Sequence, residues 1–318
     1  MIFKCAIVGC GNIAGGYDSE IPANWSLTHA GAYHLCQNTN LIAVADANEE
    51  SLKKFGEKWN IGRLYTDYEK MLEDEDIDIL SLCLPTAEHF NAFQFACKKN
   101  IPAIFCEKPL SYDLNEAEEM VEMSRGRVVS VNYFRRWNST LSQVREEIRR
   151  GDYGRVINVT SRYTKGIFVN GSHIVDLIRW FLGEPEEVTL IKLHQTDVED
   201  PGVDFVLTFK NNITSCFLNV TDAEYVFIDV DILTEKGRLV IGQRGQYLIK
   251  YHITSEPYYQ KFSILKQIEE TETDWRNCPT RAIREIVDCL ETGDQTSCTP
   301  VDGLRVMEIC RKVVSQET

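Results

Sequence analysis

The chain has 318 residues, 43% of them hydrophobic and 26% charged, with a formal net charge of −14. These are the proportions of an ordinary globular protein long enough for two domains, and the acidic balance argues against nucleic acid or an anionic membrane as partner, since both need a basic face. No apolar stretch approaches the roughly 20 residues that span a bilayer, and the N-terminus lacks the basic region and cleavage site of a signal peptide; the expected location is cytoplasmic.

Residues 3–8 form a short apolar run, read as a first strand, and Gly9-Cys10-Gly11-Asn12-Ile13-Ala14 follows at once as G-x-G-x-x-A. Gly9 permits the tight turn, Gly11 lets a pyrophosphate approach the backbone, and Ala14 lets the following helix lie close. The N–H groups of that turn and the helix dipole favour a phosphate anion. Residues 15–27 are rich in Gly, Pro, Asn and Ser and read as an insertion near the start of the first helix, which either overhangs the ligands or is a surface excursion. Residues 28–36 read as helix and 41–45 as a strand ending at Asp46. Asp46 would accept hydrogen bonds from the adenosine ribose and repel a 2′-phosphate, and Ala47-Asn48-Glu49-Glu50 offer no basic side chain to hold one, which favours NAD over NADP. Asn48 suits the cap of the helix over 49–59 better than Asp46 does.

Strand–helix alternation continues with strands at 77–84, 102–106 and 128–131 and helices at 88–99 and 114–124, which implies a doubly wound parallel sheet. Ligands of such sheets sit beyond the carboxyl ends of the strands. That gathers the glycine turn, Pro85-Thr86 and Glu107-Lys108-Pro109. The expected cofactor-binding set is Gly9, Gly11, Asn12, Ile13, Asp46, Pro85, Thr86 and Glu107. The second half reads as a helix at 143–150, a strand at 156–163, a helix at 171–182, strands at 188–193, 203–209, 213–220, 226–233, 238–241 and 247–251, and helices at 282–290 and 303–314. Few helices interrupt these strands, so an open, largely antiparallel sheet is expected. The division falls between 110 and 136 and is drawn as 1–125 and 126–318, with the C-terminal helices free to pack back on the first domain.

The eleven cysteines lie mostly in apolar segments and none has C-x-x-C spacing, the pattern of reduced core thiols rather than of disulfides or a metal site. An ammonium at Lys108 can orient a substrate hydroxyl and lower its pKa, although Glu-Lys-Pro taken alone reads better as a surface ion pair at a strand end. His173, Asp176 and Arg179 recur every three residues on an otherwise apolar helix, one polar line on a buried rod. It suits either one side of a site or a hydrogen-bonded core histidine. His29, His34, His89, His194 and His252 read as structural. Arg136 and Tyr163 are candidates for substrate oxygens or a phosphate, and Arg136 reads equally as a surface residue.

The set G-C-G-N-I-A, P-T-A-E-H (85–89), C-E-K-P-L (106–110), N-Y-F-R-R-W (132–137) and G-S-H-I-V-D-L-I-R-W-F-L-G (171–183) resembles the glucose-fructose oxidoreductase/inositol dehydrogenase/MocA family. The resemblance runs over nearly the whole chain. It implies an NAD(P)-binding Rossmann domain, a substrate-binding α/β domain whose open sheet often mediates oligomers, here a homodimer or homotetramer, and NAD(P)-linked redox chemistry on a sugar, cyclitol or sugar nucleotide. The family's E-K-P lysine matches Lys108, its catalytic histidine His173, and its site aspartate Asp176. Family members commonly carry an aspartate four residues before the histidine, where this chain has Val169. That departure favours a second reading, a dinucleotide-binding regulator without turnover; a third reading is an NAD-assisted hydrolase or epimerase that passes through a transient ketone.

Overall fold

Periodicity and caps set the local structure of the first unit. β1 (Phe3–Val8), β2 (Thr39–Ala45), β4 (Ile79–Leu82), β5 (Ala103–Cys106) and β6 (Val128–Val131) are short apolar strands, and β3 (Arg63–Tyr65) is a three-residue edge strand. Between them run α1 (His29–Leu35), α2 (Glu49–Trp59), α3 (Tyr68–Asp74), α4 (His89–Lys98) and α5 (Leu114–Met123). Each of α1, α2, α3 and α5 starts on a side-chain cap, from Thr28, Asn48, Asp67 and Asp113 respectively, which satisfies N–H groups that have no partner inside the helix. The computed structural model describes residues 1–194, 199–221, 223–259 and 261–317.

Among the described residues the strands make two sheets. The six strands of the first run in the order β3-β2-β1-β4-β5-β6, every pair parallel. The order reverses between β1 and β4, the point where such sheets bind ligands. β4 and β5 are buried along their whole length, as strands covered on both faces must be.

The second sheet is built from β7 (Val156–Tyr163), β8 (Glu187–His194), β9 (Gly202–Phe209), β10 (Ile213–Asn219), β11 (Ile228–Thr234), β12 (Gly237–Gly242), β13 (Tyr247–Ser255) and β14 (Ser263–Glu272). Its order is β14-β13-β12-β11-β7-β10-β9-β8, antiparallel throughout except for the parallel pair β7–β10. β9, β11 and β12 alternate buried and half-buried residues, so one face carries the core, including the stacked pair Phe205–Phe217 with centroids 4.2 Å apart. The helices α6 (Ser139–Arg150) and α7 (Ser172–Leu182) accompany it, and α8 (Cys278–Thr292) and α9 (Pro300–Val314) close the chain.

The chain divides into two compact units, Met1–Trp137 with Arg276–Met307, and Asn138–Trp275 with Glu308–Thr318. A division at 125/126 would cut off β6, which is hydrogen-bonded to β5 as the sixth strand of the first sheet; the first unit therefore runs on to Trp137. The segment that returns to it is tied there by Trp137 Nε1 donating to Glu285 Oε2 at 2.8 Å and by the Val131 N–H donating to the Cys298 carbonyl at 2.9 Å.

Candidate functional site

In the first unit the strand ends are level. Val8 pairs with Ala45 and with Leu82, Leu82 with Cys106, and Cys106 with Val131. The next residue of each strand, Gly9, Asp46, Cys83, Glu107 and Asn132, therefore stands in one row at the carboxyl edge. The row is locked by backbone hydrogen bonds of 2.8–2.9 Å: Gly9 to Ala45, Cys83 to Val8, Glu107 to Leu82 and Asn132 to Cys106.

Gly9 has φ +91°, and a Cβ there would lie 2.6 Å from the Cys83 carbonyl oxygen, so only glycine can turn the chain so close to β4. Gly11 is the opposite case. It is exposed, its φ is −77°, and a Cβ would meet nothing within 4 Å. That clear space lies in front of the single helical turn Asn12–Gly16, whose first N–H groups have no partner within the turn. Asn12 is exposed, Ile13 half-buried, and Ala14 completely buried. A phosphate-bearing ligand fits this arrangement: open space over backbone donors at the reversal point of the sheet.

Asp46 accepts the Cys10 N–H on Oδ2 at 2.6 Å and the Asn48 N–H on Oδ1 at 2.8 Å. It braces the glycine turn and leaves lone pairs on both oxygens for a diol. The cap of α2 belongs to Asn48, which accepts the Ser51 N–H at 2.9 Å. Burial pushes the Cys10 thiol up to about 12, helped by the charge of Asp46, so no thiolate competes with a phosphate there.

Pro85 is extended (φ −55°, ψ 144°) and opens the short turn Thr86–Glu88. Glu107 is buried and Lys108 half-buried, and the Lys108–Pro109 peptide is cis. Glu107 Oε1 accepts from Asn132 Nδ2 at 2.6 Å and sits 3.0 Å from His29 Nε2. Burial alone would raise its pKa. Hydrogen bonds from His29 and Asn132 and the nearby charges, Lys108 among them, outweigh that and hold the carboxyl below its ordinary value.

Two expected substrate contacts have other work. Arg136 is 7% exposed, with Nη1 donating to the Ser297 carbonyl at 2.8 Å and Nη2 to Asp302 at 3.0 Å; it pins the returning segment to the first unit. Tyr163 is fully buried, its hydroxyl donating to the Val203 carbonyl at 2.6 Å, and burial pushes its phenol up. Alternation along β7 puts it on the core face, so it belongs to the packing of the second sheet.

In the second unit, α7 is preceded by a one-turn segment, Ile167–Gly171, that no side chain of its own caps. Asp200 supplies the missing acceptor from another part of the chain, taking the Phe168 N–H at 2.6 Å and the Val169 N–H at 3.2 Å. Gly166 makes this possible, since a Cβ there would fall 2.0 Å from the Asp200 carboxyl carbon. A carboxylate thus does reach this turn, although residue 169 is valine. Further along, His173 is half-buried and Asp176 1% exposed on the same helix, and Arg179 pairs with Glu184. His29, Asn132 and Asp200 were not among the expected site residues. Asn132 was visible only as part of the N-Y-F-R-R-W string, and Asp200 stands 27 residues from His173 with no motif to connect them.

A parallel sheet in the order 3-2-1-4-5-6, a glycine turn at its reversal point and an acid after the second strand define a dinucleotide-binding Rossmann protein carrying a second, open-sheet unit. A family model described as an oxidoreductase family with an NAD-binding Rossmann fold matches residues 3–133, and one for that family's C-terminal α/β domain matches residues 120–317. The chain therefore belongs to the glucose-fructose oxidoreductase/inositol dehydrogenase/MocA family of oxidoreductases. Among curated proteins it is similar to myo-inositol 2-dehydrogenase of Thermotoga maritima, 27% identical over 66% of this chain and 70% of that one. It is also similar to scyllo-inositol 2-dehydrogenase (NAD(+)) of Bacillus subtilis, 25% identical over 96% of this chain and 91% of that one. An Agrobacterium radiobacter oxidoreductase solved with NAD+, L-tartaric acid and magnesium shares the fold, with a TM-score of 0.78 at 18% identity over 100% of this chain and 98% of that one. Among the described residues no helix is long and apolar enough to cross a membrane.

Proposed function

We propose that the protein is an NAD-dependent dehydrogenase that interconverts a secondary alcohol and a ketone on a cyclitol, sugar or sugar nucleotide. The observation that carries the cofactor is the open space over Gly11 beside the Asp46 carboxylate, at the reversal point of the sheet. Asp46 and the absence of a basic side chain in residues 47–50 support NAD rather than NADP. The alcohol class rests on the inositol dehydrogenases among the similar proteins.

Bound NAD would supply the hydride acceptor. Gly9, Gly11, Asn12 and Ile13 would hold its pyrophosphate, Asp46 its adenosine ribose, and Pro85, Thr86 and Glu107 the remainder along the strand ends. Lys108 orients and polarises the substrate oxygen, His173 takes the hydroxyl proton as general base, and Asp176, one turn further on the same helix, orients the substrate. The open sheet of the second unit would join copies into a homodimer or homotetramer. Eleven free thiols, ten of them buried, suit a reducing compartment such as the cytoplasm.

The test is two-part. Binding of NADH and NADPH is followed by fluorescence, and NAD+ reduction by absorbance across a panel of cyclitols, sugars and sugar nucleotides. Tighter binding of NADH than NADPH and reduction with at least one polyol are expected. NADH that binds and never turns over would favour a regulator, and product formed without net NADH would favour a transient-ketone route.

A further inference from the structure

We propose that His29 is a positioning residue of the dinucleotide site, holding the Glu107 carboxylate as an oriented anion at the carboxyl end of β5, next to Lys108. The proposal rests on reading that strand end as the nicotinamide side of the cofactor.

His29 is the first residue of α1, directly after the insertion, and is 1% exposed. The insertion's own knot sets its place. Asp18, 5% exposed, accepts from Ser26 Oγ at 2.7 Å, from the Leu27 N–H at 2.9 Å and from Thr28 Oγ1 at 2.5 Å. Thr28 in turn accepts the Gly31 N–H at 3.1 Å and starts the helix. The imidazole packs on Phe105 of β5, centroids 4.6 Å apart. Its Nδ1 is 2.9 Å from Ser81 Oγ on β4 and its Nε2 3.0 Å from Glu107 Oε1. Tyr33, one turn along α1, places its hydroxyl 2.7 Å from the same Ser81 Oγ.

The chemistry of these groups fixes a direction. A carboxylate only accepts, so His29 Nε2 carries a hydrogen toward Glu107. In a neutral ring Nδ1 is then an acceptor, which Ser81 fills as donor, and Tyr33 donates to Ser81. Tyr33, Ser81 and His29 form one polarised chain ending on Glu107 Oε1, where Asn132 Nδ2 adds a second donor at 2.6 Å. The other oxygen, Oε2, lies 3.3 Å from the Lys108 N–H, so the direction of Glu107 is tied to the backbone that presents the ammonium.

The remaining groups facing Glu107 do not supply this hold. Cys83 and Cys106 are pushed up by burial and stay neutral thiols. Burial lowers His89, whose nitrogens are each 3.0 Å from a backbone carbonyl, Pro109 and Leu84. Lys108 offers charge rather than a second direction for Oε1. Stability alone would not call for such a chain, since apolar replacements of buried polar networks are often neutral or stabilising. A row of donors that all end on one carboxylate at the functional edge of the sheet is a device for aiming it.

The variants are His29→Phe, which keeps the ring against Phe105 but removes the donor, His29→Gln, which returns a donor, and Glu107→Gln. Each is checked for fold by circular dichroism. Protein labelled with carbon-13 at the glutamate carboxyls is titrated by NMR, with Glu107→Gln identifying the resonance, and NADH affinity is measured by fluorescence. In His29→Phe the Glu107 titration should move up by about one pH unit or more and NADH affinity should fall roughly tenfold. His29→Gln should recover most of both. If His29→Phe does not fold, Ser81→Ala should move both readings the same way by less. Glu107 titrating alike in the parent and in His29→Phe, or a shifted Glu107 with unchanged NADH affinity, overturns the proposal. Failure of the unaltered protein to bind NADH would instead fall on the cofactor reading, and the carbon-13 titration would still decide whether His29 holds Glu107.

Discussion

Gly9 and Gly11 stand two positions apart and do opposite work. Gly9 is glycine because of the protein: its φ is +91° and the Cys83 carbonyl oxygen occupies the place of a side chain at 2.6 Å. Gly11 meets no protein atom within 4 Å of where a Cβ would be, so its missing side chain matters only for a ligand. Gly9→Ala should cost about 2–4 kcal/mol of stability, read by chemical denaturation. Gly11→Ala should leave stability within about 0.5 kcal/mol of the parent and weaken NADH at least about tenfold; equal NADH affinity would remove the phosphate from this turn. The glycine turn and Asp46 could be read from sequence because each residue's mechanical reason is local. Tyr163 and Arg136 could not be placed, because whether a polar side chain at a strand end faces a ligand or the core depends on partners such as Val203 and Asp302, 40 and 166 residues away. His29, whose partners Ser81 and Glu107 lie 52 and 78 residues off, was passed over for the same reason.

At the scale of elements, apolar run length and capping chemistry were enough for most of the first sheet: β1, α2 and β6 have the bounds that the pattern predicts. β3 and α3 escaped notice because three and seven residues are too short for a period to show. β14 escaped because Ser-Ile-Leu-Lys-Gln-Ile-Glu-Glu-Thr-Glu is exposed at nearly every residue and shows no clean alternation, and it is a strand through its pairing with β13 rather than through burial. The turn before α7 offers a prediction of its own. Asp200 is its acceptor, so Asp200→Ala should cost about 1–2 kcal/mol, as loss of a helix cap does, and should lower turnover more than NADH binding because α7 carries His173. An unchanged melting temperature would show that the Phe168 and Val169 N–H groups do not depend on Asp200.

For the molecule as a whole, the two halves of the chain follow different rules. Parallel strands buried on both faces make the first unit readable as a dinucleotide fold, whereas the second unit keeps a long open sheet with an edge to offer. β14 is exposed over nearly all its length, and Phe262, Ile264, Leu265 and Ile268 on or beside it are 67%, 38%, 38% and 54% exposed, an apolar edge of the sort that pairs or packs with another chain. Sedimentation of the unaltered protein should give a dimer or tetramer, and Phe262→Asp with Ile268→Asp should shift it toward monomer; a monomeric parent would remove the oligomer. The central claim of the proposed function is that Lys108 and His173 carry the alcohol chemistry. Its most direct measurement is the turnover of Lys108→Ala and His173→Ala with the polyol the panel identifies, beside NADH binding to each. Turnover should fall by roughly a hundredfold or more in both while His173→Ala still binds NADH; turnover undiminished in both would contradict the assignment.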